Sequence, residues 1–208
     1  MPIIEFFSQL DWRAFLLAMV IIELTPGPNM GWLSSISAQH GRRVGLIAVA
    51  GVTLGLAVQV LAAATGLATI ISGLPVVYDL IRWAGVAFML WLAWEAYSKT
   101  GSSSPVYGLS SKSFKQGVIA NLLNPKALVF YVVVVGQFAD PKLGSMWWQL
   151  IMLGAIHLCI AIAVHVAIVL LAASLGHIFE SWRSSLGARL GFSISLVAVA
   201  LWLAISTG

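Results

Sequence analysis

Charge is scarce in this chain. Only 9% of its 208 residues are Asp, Glu, Lys or Arg, against 60% hydrophobic residues, and a soluble domain of that size needs far more polar surface. The scarcity excludes a water-soluble domain and points to a polytopic membrane protein. Cysteine is scarcer still: Cys159 stands alone in an apolar run, which excludes a disulfide framework and any CxxC redox or zinc motif. Residues 1–12 lack the basic segment of a cleaved signal and carry Glu5 and Asp11, so this segment is expected to be retained. There is no Gly-x-Ser-x-Gly nucleophile, no His-Glu-x-x-His helix, no paired aspartate site and no nucleotide-binding loop, so neither an intramembrane enzyme nor a primary pump is expected. No cofactor is implied. The formal net charge of +4 would suit a nucleic-acid partner, but the bases sit in loops, where membrane orientation explains them better.

What is present is long apolar sequence. A membrane span needs about 20 such residues, and six segments qualify: 13–38, 44–74, 80–98, 114–138, 147–175 and 188–205. The expected fold is an all-α integral membrane protein of six transmembrane helices. Loops after helices 1, 3 and 5 hold Arg42, Arg43, Lys99, Lys112, Lys115, Arg183 and Arg189, whereas the opposite side has Arg13, Arg82 and Lys142. By the positive-inside rule those loops are cytoplasmic and both termini periplasmic. Dividing the chain at a Ser/Gly-rich cytoplasmic linker, residues 99–113, gives a repeat of three helices on each side, 1–98 and 114–208, and an odd number inverts the second relative to the first. Gly51-x-x-x-Gly55 and Gly187-x-x-x-Gly191 permit close helix approach. The apolar faces of helices 3 and 6 are the expected lipid-contacting scaffold, or the contact of a homodimer. Trp12, Trp32, Trp83, Trp147, Trp148 and Trp182 fall mostly near span ends and read as interfacial anchors.

Two of the apolar segments are interrupted. Glu23-Leu-Thr25-Pro26-Gly27-Pro28-Asn29 breaks helix 1 near its middle, and Asn121-Leu-Leu-Asn124-Pro125-Lys126 breaks helix 4. Unwound backbone and charge at bilayer depth are costly unless they are buried in protein or line a wet cavity, so they mark a translocation site. Proline has no amide hydrogen, so Pro26, Pro28 and Pro125 free the carbonyls of Ile22, Leu24 and Asn121 for a cation or an ammonium group. Thr25 followed by Pro26 reads as an N-cap and first-turn pair, whose positive dipole end suits a carboxylate. Gly27 would let a ligand touch the backbone. Carbonyls for an ammonium and a helix N-terminus for a carboxylate together match an amino acid.

Glu23, an intramembrane carboxylate, is a candidate proton-coupling or ammonium-binding group; the alternative is a permanent ion pair with Lys126. Asn29, Asn121 and Asn124 either hydrogen-bond substrate or satisfy the broken helix ends. His157 and His165, eight residues apart, lie about 80° apart around a helix and so share a broad face. They could form a proton relay, but such histidines are more often interhelical hydrogen-bonders, and Gln59 is read the same way. Cys159 points away from both, which speaks against a metal site. One negative and one positive charge at the midplane favour a neutral amino acid over lysine or arginine.

Thr25-Pro-Gly-Pro-Asn29, Gly41-Arg-Arg-Val-Gly45 and Asn124-Pro-Lys126 followed by Gln137-Phe138 resemble the LysE/RhtB family of amino-acid exporters, and the resemblance covers essentially the whole chain. It implies export of amino acids or their derivatives from the bacterial cytoplasm across the inner membrane, driven by the proton gradient. The motif match carries family function to Pro26, Gly27, Pro28, Asn124 and Pro125. Members of the wider superfamily move metal ions or other solutes, so a metal-cation or small-solute exporter is the alternative.

Overall fold

The computed structural model describes residues 2–25, 27–67, 70, 74–98, 106–178 and 186–206, whose regular elements are all helical, with no strand among them. A short helix, α1 (Pro2–Gln9), precedes α2 (Trp12–Leu24), which Asp11 caps by accepting a 3.0 Å hydrogen bond from the Ala14 amide. Thr25 then turns extended (ψ 121°), as a residue before proline must, and α2 ends. The helix restarts as α3 (Pro28–His40) with Pro28 in its first turn and extended Gly27 as its cap; the axes of α2 and α3 diverge by 54°. Thr25 is therefore the C-cap of α2, its hydroxyl donating to the Ile21 carbonyl at 2.7 Å, and not the N-cap that the Thr25-Pro26 pair led us to expect. Gly41, at φ 83°, ends α3 in a conformation that disfavours a side chain and leads directly into α4 (Arg42–Ala64).

After α5 (Pro75–Ser98) comes α6 (Val106–Leu122), which begins inside the stretch read as a linker; residues 99–105 of that stretch lie outside the described residues. The second interruption repeats the first. Asn124 is extended and caps a restarted helix, α7 (Pro125–Val129), with Pro125 in its first turn, and its side-chain oxygen accepts from the Lys126 amide at 3.1 Å. A π-turn over Phe130–Val134 and a 3₁₀ turn over Val135–Phe138 complete this segment before α8 (Met146–Ile178) and α9 (Leu186–Ser206).

Among the described residues α4, α5 and α8 are long and apolar enough to cross a bilayer, and the bent pair α2 and α3 makes a fourth such segment. Their outer faces are apolar: Leu17, Trp94, Leu171 and Ile194 are all more than 60% exposed, which water would penalise and lipid does not. Inside, α4 packs on α6 and α8, α3 packs on α8, and α5 packs on α9. The α4 and α6 contact is backbone on backbone. A methyl group added at Gly51 would strike the Phe114 carbonyl, and one at Gly117 would meet Ala48 and Val52 backbone atoms. Gly187 and Gly191, the other small-residue pair, are exposed instead. Trp32 is also corrected, since it is 2% exposed and belongs to the core, whereas Trp12, Trp83, Trp147 and Trp148 are exposed as anchors should be. Trp182 lies outside the described residues.

Candidate functional site

Both interruptions open onto one cavity of about 440 Å³, counted to its open mouth. The end of α2 supplies Ile22, Glu23 and Thr25; the start of α3 supplies Gly27, Asn29 and Met30; α7 and the turn around it supply Asn124, Lys126, Ala127 and Phe130. Leu56 of α4 and His157 and His165 of α8 close the wall.

The two histidines of α8 reach across to Glu23 of α2, and His157 is an interhelical hydrogen-bonder. Each imidazole faces one oxygen of the same carboxylate, with His157 Nε2 2.9 Å from Glu23 Oε1 and His165 Nε2 3.5 Å from Oε2. The other ring nitrogen of His157, Nδ1, lies 2.7 Å from the Tyr131 hydroxyl, and the Phe130 ring lies tilted at 48° against the imidazole with centroids 4.6 Å apart. Tyr131, His157 and His165 are each at most 3% exposed. A buried carboxylate needs such partners, because an unpaired charge at this depth carries a desolvation penalty of several kcal/mol. The resulting string, Tyr131 to His157 to Glu23 to His165, joins the π-turn after α7, α8 and α2. Tyr131 and Phe130 escaped the sequence reading. Their only signal was one hydroxyl in the apolar run 128–135, and the π-turn that aims it inward has no sequence signature of its own.

Lys126 projects across the cavity to the open end of α2. Its ammonium donates to the Thr25 carbonyl at 3.0 Å and the Ile22 carbonyl at 3.3 Å, so charge and broken backbone satisfy one another. Among the described residues the close side-chain partners of Glu23 are the two histidines, in place of the permanent Glu23 to Lys126 bridge considered above. At the other interruption Gln59 of α4 performs the equivalent task, its side-chain amide donating to the Asn121 carbonyl at 3.1 Å. Two of the three carbonyls expected to be free are thus held by the protein's own side chains.

Of the residues singled out from sequence, Glu23, Thr25, Gly27, Asn29, Asn124, Lys126, His157 and His165 converge on the cavity. Pro28 and Pro125 are buried in the first turns of the restarted helices, where they fix the backbone without lining the space. Gln59 and Asn121 form a neighbouring buried polar pair between α4 and α6. Pro26 lies outside the described residues. Asn29 is 8% exposed and its side-chain oxygen has no hydrogen-bond partner among the described residues. Cys159 is exposed, away from the buried histidines.

Two interrupted helices that meet at a charged cavity within an apolar helical bundle define a membrane translocator rather than an enzyme. The chain belongs to the LysE type translocator family, whose sequence profile matches residues 20–207. It is 32% identical over 176 residues to an uncharacterized membrane protein of Vibrio cholerae serotype O1, covering 82% of this chain and 84% of that protein. A leucine efflux protein of Klebsiella pneumoniae subsp. pneumoniae is 34% identical over 139 residues, 64% of this chain and 66% of the relative. A homoserine/homoserine lactone efflux protein of Salmonella typhi is 29% identical over 135 residues, 63% of this chain and 66% of the relative. With these two efflux proteins the match thus stops just short of two thirds of the relative's length. No solved structure matches the chain.

Proposed function

We propose that this protein is a secondary exporter of amino acids or amino-acid derivatives across the bacterial inner membrane, coupled to protons and working by alternating access at the cavity between the two interrupted helices. One observation carries the reading. The cavity holds a carboxylate, Glu23, and an ammonium, Lys126, and beside the polar Thr25, Asn29, Asn124, His157 and His165 its wall has an apolar part made of Ile22, Met30, Leu56, Ala127 and Phe130. Those charges complement the ammonium and carboxylate of an α-amino acid, and the apolar wall suits an uncharged side chain, so neutral amino acids are favoured. The names of the two efflux relatives, leucine and homoserine, agree with that class. The opposed charges speak for a zwitterion over a metal cation, because the Lys126 ammonium in the same cavity as Glu23 and the two imidazoles would repel a cation.

In this reading six spans form two inverted three-helix repeats: α2 with α3, α4 and α5, then α6 with α7, α8 and α9. Support comes from contacts that repeat across the halves. The second helix of each half bonds to the interrupted span of the other, Gln59 to the Asn121 carbonyl and His157 to the Glu23 carboxylate. α4 packs on α6 as α8 packs on α3, and α5 meets α9. Loops after the first, third and fifth spans face the cytoplasm, both termini face the periplasm, and the exposed apolar faces of α5 and α9 contact lipid or a second copy.

The experiment is export from cells fed dipeptides, with amino acids profiled inside and outside by mass spectrometry. Accumulation of one amino acid outside, lost in Glu23→Gln, supports the reading. An unchanged profile despite verified membrane insertion refutes it in favour of metal or other solute efflux. Pro26→Ala should let helix 1 run on through the interruption and suppress export while insertion persists.

A further inference from the structure

The interruption in α2 leaves its last carbonyls without helical partners. Ile22 would ordinarily accept from the amide of residue 26, which is a proline, and Thr25 ends the helix in an extended conformation. Both oxygens are nevertheless satisfied, by the same ammonium group, Lys126 Nζ, at 3.3 and 3.0 Å. The lysine reaches them because Asn124 and Pro125 fix the first turn of α7. The group thus seated is a primary ammonium, the same group that one end of an amino acid carries.

We propose that Lys126 is a tethered occupant of an ammonium subsite formed by the Ile22 and Thr25 carbonyls, and that an incoming primary amine binds by displacing it. The identity of the natural ligand rests on the export reading above; the displacement itself does not. The tie joins the two halves of the chain, carbonyls from one and ammonium from the other. Ligand binding therefore does more than fill a pocket, because it removes a link between the halves at the moment the site is occupied. Internal competition also weakens apparent affinity, multiplying it by the fraction of molecules in which the lysine has left.

Titration calorimetry of the purified full chain in detergent tests this with two probes of equal charge, isoamylamine and isoamyltrimethylammonium. Lys126→Met should bind isoamylamine about tenfold more tightly than the unmodified chain, the gain expected if the lysine is seated about nine-tenths of the time. The quaternary probe has no N–H to give the carbonyls and should gain little. Equal gains for both probes would mean that Lys126 only repels positive charge, and no gain for isoamylamine would mean that it does not occupy the subsite; either overturns the proposal. Lys126→Arg keeps both charge and donors, so its isoamylamine affinity should stay near that of the unmodified chain even if the methionine variant folds poorly. A tenfold gain in the arginine variant would also overturn the proposal. Amine displacement without any amino-acid export would leave this subsite standing and remove the export reading instead.

Discussion

At the scale of single residues, the site is governed by how each buried polar atom is satisfied. His157 has partners on both sides, Tyr131 and Glu23, and so orients one carboxylate oxygen firmly, whereas His165 sits 3.5 Å from the other and its Nδ1 has no partner among the described residues. Tyr131→Phe strands the His157 nitrogen in a buried place and should destabilise the protein by about 1–3 kcal/mol. Thermal unfolding of the purified variant measures that loss, and an unchanged midpoint would mean the hydroxyl contributes nothing. Glu23→Gln keeps the shape and one acceptor but removes the exchangeable proton. Uphill export should fall by roughly 100-fold or more, the usual scale for a lost proton-transfer group, while the variant still inserts. Export that persists with the same pH dependence would take Glu23 out of the mechanism. Much of this was legible in the sequence, because Glu23 and Lys126 are charges where charge is expensive. The histidines' role was not, since only folding decides whether two buried imidazoles meet each other, the backbone or a carboxylate.

At the scale of elements, the interruptions follow from local chemistry that a sequence displays openly. An extended residue before proline ends each helix's run, and proline in the first turn restarts it; Gly27-Pro28 and Asn124-Pro125 are two instances. The exact cap was harder to read. Thr25 resembles an N-cap by residue type, yet it is itself extended, as a residue before proline is, and its hydroxyl turns back to the Ile21 carbonyl. Small-residue spacing was equally ambiguous. Gly51 lies in a tight helix contact and Gly191 in an exposed face, and nothing local distinguishes them. The contrast gives a paired test. Gly117→Ala pushes a methyl group into the α4 backbone and should destabilise by about 1–3 kcal/mol. Gly191→Ala should stay within about 0.5 kcal/mol of the unmodified chain. Melting temperatures of the two variants in the same detergent decide it, and equal values would mean the tight crossing relaxes freely.

At the scale of the molecule, composition settled the class before any fold was known, because a chain with so few charges has to bury itself in something other than water. Orientation follows from where the remaining bases lie. Alkaline phosphatase, active only outside the cytoplasm, should be active when joined after Ser206 and inactive when joined within residues 99–105; the reverse pattern would invert the assignment. Two polar ties bracket α5 along its length: Lys112 and Gln116 of α6 hold Glu95 near one end, and Arg82 near the other donates to the Ala204 carbonyl of α9. Neither tie could be read from the sequence, since each joins residues distant along the chain whose pairing depends on the bundle's packing.

The glycine seam between α4 and α6 bears on how such a molecule could move. Backbone rests directly on backbone there, so no side chain can enter the crossing without forcing the helices apart. α4 lies in the first half of the chain and α6 in the second. A seam that stays closed through the proposed cycle would make each moving body a composite drawn from both halves, so that neither half, expressed without the other, would contain a complete moving part.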